Sequence, residues 1–157
     1  MSFRYIGLSL KPFASLRGLS DEELLERGLR RMIVDEKPGF PCRVTLEDAE
    51  PGEHVLLLPF EHQPARSPYR ASGPIFVRED AEATCDYVGA PPRSLLGRML
   101  SVRAYTQDGM MVDADVTPGE ELEAILERFF ADPAIAYAHV HYARRGCYAA
   151  RVERAAA

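Results

Sequence analysis

The apolar residues of "LSDEELLERGLRRM" recur every three or four positions, which is the spacing of an amphipathic helix. The Ser20 side chain can accept a hydrogen bond from the backbone of Glu23, and the Glu23 carboxylate can accept one from the backbone of Ser20. This pair predicts a capping box at the start of the helix. The stripe that would face the core consists of Leu24, Leu25, Leu29 and Met32.

A second helix is predicted in "VTPGEELEAILERFFAD". Thr117 as the N-cap, Pro118 in the first turn and Glu120 at the third helical position repeat the capping pattern. Pro133 is expected to end the helix. Its broad apolar face is typical of a helix that lies on a core and consists of Leu122, Ile125, Leu126, Phe129 and Phe130.

The remaining chain consists mainly of short alternating or apolar stretches, which are typical of strands. "CRVTL" alternates, "HVLLLPF" resembles an interior strand, and "FRYIGL" is a candidate edge strand. Further strands are predicted in "PIFVR", "RMLSVRAYT", "MMVDADV", "AIAYAHVHYA" and "CYAARV", while residues 79–94 look peripheral. We expect one α+β domain over residues 1–157, with a largely antiparallel, curved sheet of about seven strands and the two amphipathic helices packed on it.

Loop length decides which residues of a hairpin share a face, because a shift of one residue exchanges the two faces. A three-residue loop at 107–109 would bring the apolar sets of the first hairpin together. It pairs Ala104 with Val112, whereas a two-residue loop pairs Ala104 with Asp113. The sequence favours the three-residue loop.

The second hairpin has the same form, with a three-residue loop at 144–146. This register pairs three sets of residues into a core-facing surface: Val140 with Ala150, Ala138 with Val152, and Tyr142 with Tyr148. The opposite face would then collect His139, His141, Cys147 and Arg151.

Two histidines and a cysteine on one face are a candidate metal site. A structural zinc site needs four ligands, however, and the paired short spacings typical of such sites are missing. A fourth ligand would have to come from Cys42, His62, Asp113 or Asp115. The positive charge of Arg151 opposite His139 would repel a cation. The pattern therefore favours a half-exposed polar sheet face over a metal site.

The proline-rich segment 59–74 is the other informative stretch. Long loops without regular structure are uncommon in compact domains and are often functional. Arginine, tyrosine and histidine side chains suit an anionic group such as a carboxylate or a phosphate. The candidate residues in this segment are His62, Gln63, Arg66, Tyr69, Arg70 and Ser72. The alternative is that the arginines are solvated and Tyr69 packs beneath the loop.

Charge and composition narrow the range of partners. The net charge is −5 at pH 7 and the pI is about 5.4, so we expect no nucleic-acid partner. No apolar run is long enough to span a membrane, so we expect no membrane partner. The three cysteines are widely spaced and odd in number, which indicates a reduced, cytoplasmic protein rather than a disulfide framework.

The leading hypothesis is that the protein is a small-molecule binding protein or an enzyme. Its site would lie where segment 59–74 meets hairpin 138–152. His62 or His139 would transfer protons there. An anionic ligand would be bound by residues from both parts of the chain: Arg43, Arg66, Tyr69, Arg70, Ser72, His141 and Arg151.

Two alternatives stay open. One is a protein-interaction or homodimer module, which would be favoured if Tyr137, Tyr142 and Tyr148 are exposed together. The other is a metal-binding protein that uses His139 and His141, with Cys147 as a further candidate ligand. The sequence identifies no cofactor and does not decide whether the protein is an enzyme.

Three segments of the chain are similar to a known family: "KPGFPCRVTLEDAEPGEHVLLLPFEHQPARSPYRASGPIFVR", "LSVRAYTQDGMMVDADV" and "HVHYARRGCYAARV". Together they resemble a bacterial family of stand-alone domains of unknown function, DUF1203. The segment "SPYRASGPIFVR" is the most distinctive part of this resemblance. The resemblance implies no activity, cofactor or substrate, so every proposed site residue depends on the residue argument alone.

Overall fold

Residues 1–156, which the computed structural model describes, form nine strands and two α-helices. The strands are β1 (Phe3–Ile6), β2 (Arg30–Ile33), β3 (His54–Gln63), β4 (Ala71–Arg78), β5 (Asp86–Val88), β6 (Met99–Tyr105), β7 (Met111–Pro118), β8 (Tyr137–Tyr142) and β9 (Tyr148–Arg154). The α-helices are α1 (Asp21–Glu26) and α2 (Leu122–Phe130), and short 3-10 helices lie at Lys11–Leu16, Arg93–Leu95 and Gly119–Glu121.

The strands form two sheets in which all neighbouring strands are antiparallel. The large sheet has the order β5-β1-β9-β8-β6-β7, and the small sheet has the order β2-β3-β4. The predicted α+β fold with a largely antiparallel arrangement is confirmed. The sequence predicts about seven strands in one sheet, whereas the described residues form nine strands in two sheets.

The main core lies between α2 and one face of the large sheet. Four helix residues, Leu122, Leu126, Phe129 and Phe130, are buried there, so the predicted apolar face of the helix is confirmed. The sheet contributes alternate residues of its central strands, because successive side chains of a strand point to opposite faces. These include Val102, Ala138, Val140, Ala150 and Val152.

The small sheet has a core of its own, beneath α1 and the first 3-10 helix. Leu56 and Ile75 of β3 and β4 pack there with Phe13 and Leu24. The far end of the β3–β4 hairpin extends beyond this core and contacts the large sheet. This contact is made on the face opposite α2, and it creates the site described below.

Both helices differ from prediction at one end. The capping box of Ser20 and Glu23 is present, but α1 ends at Glu26 because Gly28 adopts a φ of +78° and the chain turns into β2. The predicted cap of α2 at Thr117 is wrong, since β7 continues to Pro118 and α2 begins at Leu122 without a side-chain cap. No helix among residues 1–156 is long and apolar enough to cross a membrane.

Several strand predictions are also corrected. "CRVTL" forms a turn, in which Leu46 has a φ of 56°, although Cys42, Val44 and Leu46 are buried as the alternation suggests. β1 is not an edge strand, because β5, from the segment predicted to be peripheral, pairs with its outer side. Residues 59–63 and 71–74 belong to β3 and β4, so the predicted long loop is confined to residues 64–70.

The preferred register of the first hairpin is wrong. Ala104 pairs with Asp113 and Arg103 pairs with Ala114, and a bulge follows at Tyr105. The pairing of Ala104 with Asp113 is the one predicted for the two-residue loop, which the sequence did not favour. Asp113 is tolerated on the face of α2 because β7 is the last strand of the sheet, where side chains reach solvent beyond the helix. Asp115 on the same face binds Arg128 of α2, with an N–O distance of 2.7 Å.

The close approach of the segment after β1 to the turn at 42–46 gives a test of the fold. A Cβ atom at Gly7 would overlap the backbone carbonyl oxygen of Val44. We expect Gly7→Ala to lower the free energy of unfolding by about 1–3 kcal/mol, because a backbone carbonyl cannot rotate away from the added methyl group. Urea denaturation followed by circular dichroism measures this change.

Gly73→Ala is the matched control. A Cβ atom at Gly73 has no neighbour within 4 Å, and its φ is not positive. Its effect should stay within about 0.5 kcal/mol. Equal destabilisation by both variants would contradict the close backbone contact at Gly7.

Candidate metal centre

Three of the four histidines of the chain meet where the β3–β4 hairpin contacts the large sheet. His62 lies near the end of β3, and His139 and His141 lie on β8. One ring nitrogen from each residue can be chosen so that all three lie within 4.8 Å of one another. The ring centroid of His62 is 5.0 Å from that of His141 and 6.4 Å from that of His139. The three imidazoles therefore form one cluster, named here the histidine cluster.

Strand periodicity places two members of the histidine cluster. His139 and His141 alternate with Ala138 and Val140, which face α2, so both imidazoles point to the opposite face of the sheet. Val140 pairs with Ala150 and Ala138 with Val152, as predicted. This part of the second hairpin is confirmed.

His62 is brought over this face by the hairpin that ends the small sheet. The β3–β4 register shifts between Phe60 and Gln63, so the strand departs from regular pairing beside His62. The Gln63 Nε2 atom donates a hydrogen bond of 3.1 Å to the Tyr137 hydroxyl, and the Ser67 hydroxyl donates one of 2.9 Å to the Gly109 carbonyl. These bonds hold the hairpin on the large sheet at the end of β3 and within the loop 64–70.

Each imidazole of the histidine cluster has one buried nitrogen without a hydrogen-bond partner among residues 1–156. These atoms are Nδ1 of His62, Nδ1 of His139 and Nε2 of His141. His141 Nδ1 lies 2.9 Å from the Gly146 carbonyl oxygen. Because a carbonyl can only accept, this contact requires the proton on Nδ1 and leaves Nε2 with a free lone pair.

Burial favours the neutral form of all three imidazoles. Desolvation, together with the neighbouring histidines and arginines, lowers the pKa of His139 to about 2. Desolvation likewise lowers the pKa of His141 to about 4, against the opposing effect of the Gly146 carbonyl. Burial and the charge of Arg103 lower the pKa of His62. A neutral imidazole is the form that binds a metal ion.

Tyrosine rings enclose the histidine cluster. Tyr148 stacks on His62 with a centroid distance of 5.4 Å and an interplanar angle of 8°, and it meets His139 edge-on at 5.1 Å. Tyr105 and Tyr137 lie 5.1 and 5.2 Å from His139. Tyr137 and Tyr148 are buried. They therefore do not form the exposed aromatic surface that would have favoured a homodimer module.

Three arginines approach the histidine cluster from different sides. Arg103 pairs across the strands with His139 on one side, and Arg151 pairs with His139 on the other. Arg151 binds Glu153 at 2.7 Å and lies over the Tyr137 ring at 3.9 Å. Arg43 is buried behind the cluster, where its Nε donates to the Tyr148 carbonyl at 2.7 Å.

Among the predicted site residues, His62, His139, His141 and Arg151 come together, with Arg43 behind them. Most candidates of the 59–74 segment lie elsewhere. Arg70 is exposed and binds Glu61, Arg66 is exposed, and Ser72 lies on the outer side of the hairpin beside Gly28 and Arg30. Tyr69 only reaches the edge of the enclosure, with its ring 6.4 Å from Tyr105.

Cys147 is outside the group of candidate ligands that includes the three histidines. The hairpin register shifts between Val140 and His141, so that His141 pairs with Tyr148. The predicted pairing of Tyr142 with Tyr148 is therefore wrong. This bulge puts the Tyr148 ring on the histidine face, in the place expected for the cysteine.

Sequence analysis missed the part played by Arg103, Tyr105 and Tyr148. Arg103 and Tyr105 alternate with the core residues Val102 and Ala104, so their placement on the polar face follows from the strand pattern. Their closeness to the histidines follows from the pairing of β6 with β8. These strands are separated by β7 and α2 along the chain, and nothing local in the sequence identifies them as neighbours.

A family model described as "Protein of unknown function (DUF1203)" matches residues 39–154, a range that includes all three members of the histidine cluster. No curated protein and no solved structure matches the chain. Because the family model matches well over half of the chain, the chain belongs to the DUF1203 family, as the resemblance of its sequence predicted.

Proposed function

We propose that this protein binds one divalent transition-metal ion through His62, His139 and His141. The observation that carries the proposal is the set of three unpartnered, buried imidazole nitrogens on residues whose ring nitrogens approach within 4.8 Å. A buried polar atom without a partner costs about 1–3 kcal/mol, so three such atoms at one place need an explanation. A cation bound among these imidazoles would give such nitrogens a partner, as for Nε2 of His141, whose lone pair is free.

The histidine cluster fits the requirements of such a site. Zinc–nitrogen bonds of about 2.0–2.1 Å place tetrahedral ligand atoms about 3.3 Å apart, so the imidazole nitrogens, which lie within 4.8 Å of one another, would have to move closer together on binding. The contact of His141 Nδ1 with the Gly146 carbonyl supports the assignment. Histidines that bind a metal through one nitrogen usually donate the other N–H to a carbonyl or a carboxylate, which fixes the orientation of the ring.

The nature of the ligands indicates the class of metal. Neutral imidazoles suit Zn²⁺, Fe²⁺, Ni²⁺ and Cu²⁺, whereas Mg²⁺ and Ca²⁺ prefer oxygen ligands. Three protein ligands leave at least one coordination position open, as in catalytic rather than structural zinc sites. The proposed centre is therefore suited to binding a further small molecule at the metal.

The charge of Arg151, which argued against a metal in the sequence, is largely balanced. Its guanidinium binds the Glu153 carboxylate and lies against the Tyr137 ring. An arginine held in this way repels a cation less than a free one, because the carboxylate offsets its field. Repulsion of a bound cation would then come mainly from Arg103.

We also propose that the protein resides in a reducing cellular compartment such as the cytoplasm. Cys42, Cys85 and Cys147 are free thiols, and free thiols persist where the surroundings keep them reduced.

Metal binding is tested with protein that has been treated with a chelator and dialysed. We expect Zn²⁺ or Co²⁺ to bind with a stoichiometry of one ion per chain, because one cluster of three histidines offers one site. Isothermal titration calorimetry gives the stoichiometry and the Kd. A free ion concentration of 100 times Kd should raise the free energy of unfolding by about 2.7 kcal/mol, which a higher Tm reveals. If neither Zn²⁺ nor Co²⁺ shows saturable binding, the proposal is wrong.

Replacing single histidines tests the ligand set. His139→Gln and His141→Gln should each weaken Co²⁺ binding by at least about 100-fold, because losing only the hydrogen-bond partner of a ligand already costs roughly 10- to 100-fold. His54→Gln is the matched control, since His54 is exposed and lies outside the histidine cluster. Circular dichroism checks that each variant is folded. If the control loses as much Co²⁺ affinity as the cluster variants, the assigned ligands are wrong.

A further inference from the structure

We propose that the open position of this metal centre takes the carboxylate group of a small organic acid, and that Arg103 binds the same carboxylate. This inference depends on the metal site proposed above and adds the chemical class of its ligand. It also gives the anionic ligand expected from the sequence a definite position, at an arginine that the sequence did not single out.

Arg103 lies on the polar face, on the strand next to β8. It is directly opposite His139 in the β6–β8 pairing, and its neighbour on the same face, Ser101, is opposite His141. Directly opposed residues of antiparallel strands have Cβ atoms about 4.5–5.5 Å apart. The Cβ atom of Arg103 therefore lies beside His139, and the guanidinium charge contributes to lowering the pKa of every member of the histidine cluster.

The charge of Arg103 is not balanced by the protein. No carboxylate among residues 1–156 lies within 4.0 Å of its guanidinium nitrogens, whereas Arg151 beside it has Glu153. Its side chain is half-buried, and its Nε donates a long hydrogen bond of 3.4 Å to the Ser101 hydroxyl. A partly desolvated cation without a carboxylate partner is costly, and a divalent ion nearby would increase that cost. A bound anion would offset both charges.

The geometry of the two cations favours a carboxylate. A guanidinium donates two roughly parallel hydrogen bonds in one plane, which matches a planar carboxylate group. One carboxylate oxygen can then bind the metal while the group also accepts from Arg103. Gln63 and the Tyr105 phenol lie near Arg103. Burial raises the pKa of this phenol, while the neighbouring Arg103 and Gln63 side chains act to lower it.

The test uses the full-length protein loaded with Co²⁺, whose visible absorption bands respond to a change of ligand at the metal. Acetate and benzoate are the probes, and sodium chloride at the same ionic strength is the reference salt. We expect both carboxylates to shift the Co²⁺ bands with saturable dependence on concentration, while chloride leaves them unchanged.

Arg103→Gln separates the anion site from the metal site. We expect Co²⁺ affinity to be retained or increased, since a positive charge is removed, and acetate affinity to fall by at least about tenfold, as a charge-assisted hydrogen bond is lost. Arg103→Lys keeps the charge but not the planar guanidinium, so it should lose less acetate affinity than Arg103→Gln. Arg70→Gln is the matched control, because Arg70 is exposed and bound to Glu61.

The outcomes distinguish the two proposals. If the wild-type chain does not bind Co²⁺, the metal site is wrong and the carboxylate inference is overturned with it. If Co²⁺ binds but neither carboxylate alters its spectrum, only the carboxylate inference is overturned. The same holds if Arg103→Gln and Arg70→Gln leave acetate affinity equally unchanged.

Discussion

The contact between the β3–β4 hairpin and the polar face of the large sheet is the constraint on which the site depends. A sheet covered by a helix on one side can expose its other side to water, and alternation of apolar and polar residues normally meets that condition. Here the hairpin covers part of the second side. Histidine, tyrosine, glutamine and arginine side chains are thereby buried, and each must find a partner within a small volume.

Some of these requirements are met inside the protein. Gln63 binds Tyr137, Arg43 binds the backbone of β9, and Arg151 binds Glu153. The unpartnered atoms that remain at the contact are concentrated on the three imidazoles, with Arg103 uncompensated beside them. This uneven distribution is the physical basis of both proposals. Buried polar groups in most proteins are satisfied, and exceptions gathered in one place are typical of ligand sites.

The sequence predicts those parts of the fold that depend on local periodicity. The face of α2 that packs on the sheet, the capping box at Ser20 and the shared orientation of His139 and His141 all follow from spacing within a few residues. The cap of α2 failed because Pro118 pairs with Met99 across the sheet, and this tertiary pairing prevails over the local capping pattern.

The composition of the candidate site was less accessible, because it depends on bulges and on long-range pairing. His62 was predicted as a candidate for an anion site or for proton transfer, or as one of four possible fourth ligands, and its meeting with His141 requires two sheets to come into contact. The bulge in the β8–β9 hairpin puts Tyr148 where Cys147 was expected. A shift of one residue in register exchanges the faces of a strand, and sequence patterns define register poorly where bulges occur.

The histidine cluster draws its members from both sheets, since His62 belongs to the small sheet and His139 and His141 belong to the large one. An ion bound there would add a cross-link between the two layers, which also meet through hydrogen bonds and ring contacts such as those of Gln63 with Tyr137 and His62 with Tyr148. Occupancy of the centre would thus strengthen the connection between the two sheets as well as provide its chemistry.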